Sequence, residues 1–178
     1  MTIVSGVSSD CTEVAIEEAK RQKEAGADGI MLMPPHIWLR FSMKQQSAFE
    51  FYQDVANGAD IDIIVHLYPA TSLAHIETET LVKMGKEIPQ IKAIKQGTRI
   101  PPKYERDVRT LRKEIPHVKL LTCYDEAYVS SLLPGMDGTI LGFAGCVPEL
   151  ILGAFKAYQD RDLTKVLEYA DRIHPMSL

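Results

Sequence analysis

Lys95, His66 and Tyr68 are the residues of this chain whose types and positions best suit covalent chemistry. Lys95 closes the run Ile91-Lys92-Ala93-Ile94-Lys95, and strand alternation sets it on the face of Ile91 and Ala93. An amine held among apolar neighbours loses hydration, so its pKa falls toward neutrality. The neutral form can attack a ketone and form a Schiff base. The plain alternative is a lysine that extends its ammonium into solvent. His66 ends another such run and shares its parity with Ile64 and Tyr68. An imidazole there can shuttle a proton near neutral pH, or can simply be held by a backbone hydrogen bond. Tyr68 is the alternative acid/base. The other histidines, His36, His75, His117 and His174, lack ligand spacing, so no metal is expected.

Short β-rich runs alternate with helical periodicity and would carry these residues. Strands are expected at Thr2–Val7, Gly29–Met33, Ile61–Leu67, Ile91–Lys95, Val118–Cys123 and Gly138–Leu141. Most are apolar on both faces, as parallel strands covered by helices are. In the first helix Asp10 can cap, with Glu13 three residues on, and Gly26 ends it. Further helices are expected near Lys44–Asn57, Glu77–Lys86, Pro102–Glu114, Asp125–Leu133, Pro148–Gln159 and Asp162–Ile173. Six βα units with short connections imply a parallel α/β sheet, either doubly wound or part of a (β/α)8 barrel. No G-x-G-x-x-G or P-loop pattern supports a nucleotide-binding open sheet. In such folds the site lies at the carboxyl ends of the strands. The longest connection, Pro34–Met43, is rich in large side chains and suits a lid or a subunit contact.

The chain has 178 residues and a mass of 19.9 kDa, which suits one domain. A complete eight-fold barrel usually needs about 250 residues. Net charge is −4 with no basic block, which argues against nucleic acid. Cys11, Cys123 and Cys146 are odd in number and widely spaced, as in a protein of the reducing cytoplasm. No run of about 18 apolar residues suggests a membrane span, and Met1 leads into a strand-like run rather than a signal peptide. A cytoplasmic location is therefore expected.

Several segments, in order, resemble the dihydrodipicolinate synthase / N-acetylneuraminate lyase family. Ile3–Val7 with Thr12-Glu13 and Ala25–Gly29 is similar to that family's third strand, capped helix and turn. Met33-Pro34-Pro35 matches its Pro-Pro loop, and Ile63–Pro69 falls on the segment written I-I-x-Y-N-x-P. Ile91–Lys95 falls on the strand ending in the Schiff-base lysine, and Gly138–Gly142 on the Gly-rich eighth strand.

The resemblance implies a partial (β/α)8 TIM barrel, six parallel βα units corresponding to strands three through eight. The first two units and the C-terminal helical extension are lacking. It implies Lys95 as the imine-forming lysine for a 2-oxo acid of the pyruvate class, with no cofactor and with assembly into a homo-oligomer. Thr71, Thr98, Ile140 and Gly142 would line the substrate pocket. His66 occupies the place of the family's catalytic tyrosine, and Tyr68 replaces it if the strand is read two residues out of register. His36-Ile37 follow the Pro-Pro pair, where the family has the tyrosine it sends to a neighbouring subunit. Thr71 stands where the lysine-biosynthesis branch has a carboxylate-binding arginine, which points toward sugar-acid substrates. Two functions follow: an aldolase or dehydratase, or a catalytically inactive truncated relative or fragment of a full-length enzyme. A metal-dependent aldolase is a third, weaker alternative.

Overall fold

The alternation of apolar runs and amphipathic stripes is realised in a computed structural model that describes residues 2–177. The chain divides into two compact units, one ending at Lys119 and the other beginning at Leu120.

The first unit holds four strands, β1 (Val4–Val7), β2 (Gly29–Leu32), β3 (Asp62–His66) and β4 (Ile91–Gln96). Each is parallel to the next in chain order. Helices α1 (Thr12–Glu24), α2 (Trp38–Phe41), α3 (Gln45–Ala59), α4 (Thr78–Glu87) and α5 (Pro101–Glu114) connect them or follow them. Ile30, Leu32, Ile63, Val65, Ile91 and Ile94 from the strands are buried, as are Phe49, Phe51, Tyr52 and Val55 of α3. Each such side chain is worth about 1.5–3 kcal/mol when fully removed from water. The Tyr52 hydroxyl is buried too, and donates to the Leu32 carbonyl at 2.8 Å.

The second unit holds β5 (Lys119–Thr122, whose first residue closes the preceding unit) and β6 (Gly138–Thr139), again parallel. Its helices are α6 (Tyr128–Leu132), α7 (Pro148–Gln159) and α8 (Leu163–Ile173). Every expected strand and helix is present, although α6 and β6 are shorter than the apolar pattern predicts. Asp125, expected inside the helix, instead turns its carboxylate to the backbone N–H groups of Gly142 and Phe143. Among the described residues no helix is long and apolar enough to cross a membrane.

One local expectation is corrected. The residue capping α1 is Cys11, not Asp10, and the Glu13 carboxylate takes a hydrogen bond from the Cys11 thiol at 2.9 Å. Asp10 accepts the Ile37 N–H at 2.9 Å, fastening the turn after β1 to the connection after β2. That connection contains α2 and leaves Phe41 68% exposed. Gly26 does end α1, at a φ of +96° that a residue with a Cβ rarely adopts.

Candidate active site

His66 and Lys95 face each other as register partners at the carboxyl ends of β3 and β4. Adjacent strands lie about 4.8 Å apart, so the two side chains spring from neighbouring points on one face. The pairing depends on an irregularity in the ladder. Ile63 pairs with Ile91, but Ile64 pairs with Ala93, which leaves Lys92 as an extra residue on β4. Such a bulge re-aims everything that follows it. Ile63 and Ile64 point to opposite faces, so Ala93 shares a face with Lys95 whereas Ile91 does not. This corrects the uniform alternation expected for that strand. The Lys92 side chain turns outward, to the Pro89 carbonyl at 2.8 Å and the Asp62 carboxylate at 3.8 Å.

Tyr68 joins the pair. Its ring meets the His66 ring edge-on, with centroids 5.0 Å apart and an interplanar angle of 83°. All three sequence-predicted catalytic residues therefore lie at one pair of strand ends. Burial, reinforced by the charge of Lys95, lowers the His66 pKa to about 4, so the imidazole is neutral at pH 7. A neutral imidazole carries one N–H and one lone pair, and here the buried Nδ1 is left unpartnered among the described residues. Burial, with the carboxylate of Asp10 adding to it, raises the Tyr68 phenol above its ordinary value. Tyr68 is therefore held as a proton donor.

The strand ends are tightly tied. Leu67 N–H donates to the Lys95 carbonyl at 3.1 Å. Gly97 lies so close to Leu67 that a Cβ there would overlap the Leu67 carbonyl oxygen and stand 3.1 Å from its carbon. The His75 Nδ1 lies 2.9 Å from the Tyr68 carbonyl, which it can hold as a donor. Gln45 Nε2 donates to the His75 carbonyl at 3.1 Å, while Gln45 Oε1 accepts the Glu77 N–H at 2.9 Å. Sequence reasoning passed over His75 because it looked only for metal ligands. Its signal, a histidine a short loop away from His66, belongs to positioning.

The residues expected to line the substrate pocket have different settings. Thr71 is exposed on the tight turn where Ser72 N–H donates to the Pro69 carbonyl at 2.8 Å. Thr98 is buried at 0% exposure, and its hydroxyl is directed at the carboxylate of Asp107 at 3.3 Å, not into open space. In the second unit, Ile140 is half-buried and its N–H donates to the Thr122 carbonyl at 2.9 Å. Gly142 is exposed and is held through its N–H by Asp125 at 3.2 Å. Phe143 N–H donates to the same carboxylate at 2.8 Å, a role of Asp125 that its place in an expected helix concealed. A cleft of about 230 Å³ in this unit, bordered by Asp125, Tyr128, Asp171 and His174, contains none of the predicted residues.

Comparison with known proteins bears directly on this arrangement. A model of the dihydrodipicolinate synthetase family matches residues 1–177. Among curated proteins, the chain is 25% identical over 161 residues to a probable 2-dehydro-3-deoxy-D-pentonate aldolase, YjhH, of Escherichia coli. That match covers 90% of this chain and 52% of the relative. A 4-hydroxy-tetrahydrodipicolinate synthase of Rhizobium meliloti is 26% identical, over 98% of this chain and 58% of its own length. The chain thus spans about half the length of the curated relatives it matches. Among solved structures, dihydrodipicolinate synthase from Thermotoga maritima superposes with a TM-score of 0.91 at 18% identity, covering 99% of this chain and 59% of that one. YagE of E. coli, solved in complex with pyruvate, gives a TM-score of 0.88 at 21% identity, covering 97% and 57% respectively. These likenesses establish the fold as a partial (β/α)8 barrel of six parallel βα units.

Proposed function

The chain belongs to the dihydrodipicolinate synthetase family, and from that premise we propose that it acts as a Schiff-base-forming lyase on a 2-oxo acid, with Lys95 as the nucleophile. The observation that carries this reading is the register pairing of Lys95 with a neutral, half-unpartnered His66 at adjoining strand ends. The amine of Lys95 adds to the C2 carbonyl; a proton moves to the carbonyl oxygen, water leaves and a protonated imine remains. In aldol cleavage the C4 hydroxyl gives its proton to His66 and an aldehyde departs. The C3–C4 bonding pair flows into the imine and gives an enamine. Protonation of C3 and hydrolysis of the imine then release the shortened 2-oxo acid and regenerate the amine. Tyr68, kept protonated, supplies the donor that steadies oxygen atoms as their charge develops. No cofactor is required.

The substrate class follows from what borders the strand ends. Thr71 is a neutral hydrogen-bonding group, and Asp10 places a negative charge within electrostatic reach of Tyr68. A carboxylate there repels a second carboxylate and accepts from hydroxyls, which favours a sugar-acid-type 2-oxo acid over an amino-dicarboxylate partner. The names of YjhH and of YagE, described as a putative 2-dehydro-3-deoxy-D-gluconate aldolase, support the same class. Incubation with pyruvate and borohydride should add one reduced adduct, mapped to Lys95 by peptide mass and absent from Lys95→Ala. An adduct that persists in Lys95→Ala, or no adduct at all, refutes the assignment.

A second reading rests on β1. Among the described residues its outer edge has no strand partner, and Ile3 and Val4 are exposed. An unpaired parallel strand is a template for another chain, so the alternative is a catalytically silent truncated relative or fragment completed by association. A monomer by light scattering that traps pyruvate would exclude it.

A further inference from the structure

Asp107 is a buried carboxylate in the apolar stripe of α5, 3% exposed between Tyr104, Val108 and Leu111. Burying a carboxylate is costly unless it is paired and fully hydrogen-bonded. Its partners converge from three segments. Lys103 Nζ, one helical turn earlier, lies 3.0 Å from Oδ2 and 3.3 Å from Oδ1. The Thr78 hydroxyl, in the first turn of α4, donates to Oδ1 at 2.8 Å. The Thr98 hydroxyl, just past the end of β4, donates to Oδ2 at 3.3 Å.

We infer that Asp107 is a positioning residue for Lys95, fixing through Thr98 the strand end that carries the amine. Thr98 N–H also donates to Gln96 Oε1 at 2.9 Å, so Thr98 closes a small turn immediately after Lys95. That turn is fastened to α5 by Asp107 and to β3 by the bond between Leu67 N–H and the Lys95 carbonyl. The same carboxylate reaches the Tyr68 side. Thr78 adjoins Glu77, whose N–H is held by Gln45, and Gln45 holds the His75 that meets the Tyr68 carbonyl. One buried charge thus braces both strand ends of the proposed site without touching substrate. The inference rests on the Schiff-base reading for its catalytic meaning, but not for its geometry.

The decisive substitution is Thr98→Val in the full chain, which keeps the side-chain shape and removes only the hydroxyl, with Thr98→Ser as the rescue. Two readouts are taken. One is the rate and pH midpoint of pyruvate–borohydride trapping. The other is the pH midpoint of competitive acetic anhydride labelling at Lys95, which requires no Schiff base. Thr98→Val should slow trapping at least about tenfold, in keeping with the sensitivity of reacting groups to small misplacement. It should also move the Lys95 labelling midpoint, while Thr98→Ser restores both. A loss of stability alone, with unchanged Lys95 midpoints in Thr98→Val, overturns the inference. If the wild-type chain traps no pyruvate, the lyase reading fails. The labelling comparison then decides the positioning role independently, a shifted midpoint rescued by serine supporting it and an unshifted one refuting it.

Discussion

Replacing Gly97 by alanine tests how closely the ends of β3 and β4 must approach. Gly97 does not have the positive φ seen at Gly26 and Gly135, so its requirement is spatial. The added Cβ would coincide with the space of the Leu67 carbonyl oxygen and stand 3.1 Å from the Leu67 carbonyl carbon. Non-bonded carbons settle at about 3.5–4.0 Å, so the carbon contact alone requires the two strand ends to part by about 0.4–0.9 Å, and clearing the overlapped oxygen requires more. Overpacking of this kind costs about 1–3 kcal/mol. Losing the hydrogen bond from Leu67 N–H to the Lys95 carbonyl costs about 1 kcal/mol more. The expected destabilisation is therefore about 2–4 kcal/mol, read from urea unfolding. Because the parting occurs beside the His66–Lys95 pair, trapping of pyruvate should fall by about a hundredfold. Gly145→Ala is the control, since nothing lies within 4 Å of a Cβ built there. It should remain within about 0.5 kcal/mol of wild type. A Gly97→Ala chain as stable as that control, or destabilised but trapping at the wild-type rate, would refute the reasoning.

Two further outcomes are expected. His66 has a pKa of about 4 in the fold against an ordinary 6.5, so between those values the unfolded chain binds the extra proton. Its contribution to stability is present above pH 6.5 and is lost as pH falls through 4; the urea midpoint of His66→Gln should decline less over that window than that of wild type. Asp125→Ala deprives the N–H groups of Gly142 and Phe143 of their acceptor. It should cost about 1–3 kcal/mol in the same assay, and an unchanged midpoint would show those groups to be satisfied otherwise.

The order of the strands in the sheet came from the family resemblance. The strands themselves were legible because buried parallel strands are written as apolar runs between glycines and helical stripes, a signal carried within each segment. Lys95, His66 and Tyr68 could be found for the same reason, as polar groups at the ends of such runs. The cap of α1 was misread because a local pattern around Asp10 and Glu13 does not register the Ile37 N–H, which takes the Asp10 carboxylate. The pocket-lining role of Thr98 came from the family resemblance, and its bond to Asp107 was not legible because that partner lies on the following helix. Asp107 itself left a trace, an aspartate interrupting the stripe of Tyr104, Val108 and Leu111. That trace becomes informative only once Thr78 and Thr98 are known to converge on it.

The unpaired Lys92 turns the proposed chemistry into a matter of counting. From the shared pair Ile63–Ile91, β3 takes three steps to reach His66 and β4 takes four to reach Lys95. An even ladder that kept Lys92 would set Ile94 opposite the imidazole and Lys95 opposite Leu67, whereas deleting Lys92 would let the ladder run evenly from Ile63–Ile91 to His66–Lys95. Part of the information for the site is thus held in the register of the ladder and not in the identity of any residue. When distant relatives are aligned, a one-residue gap inside this strand can leave the two reactive residues paired, and a grafted site must carry the bulge and Lys92 together or lose both.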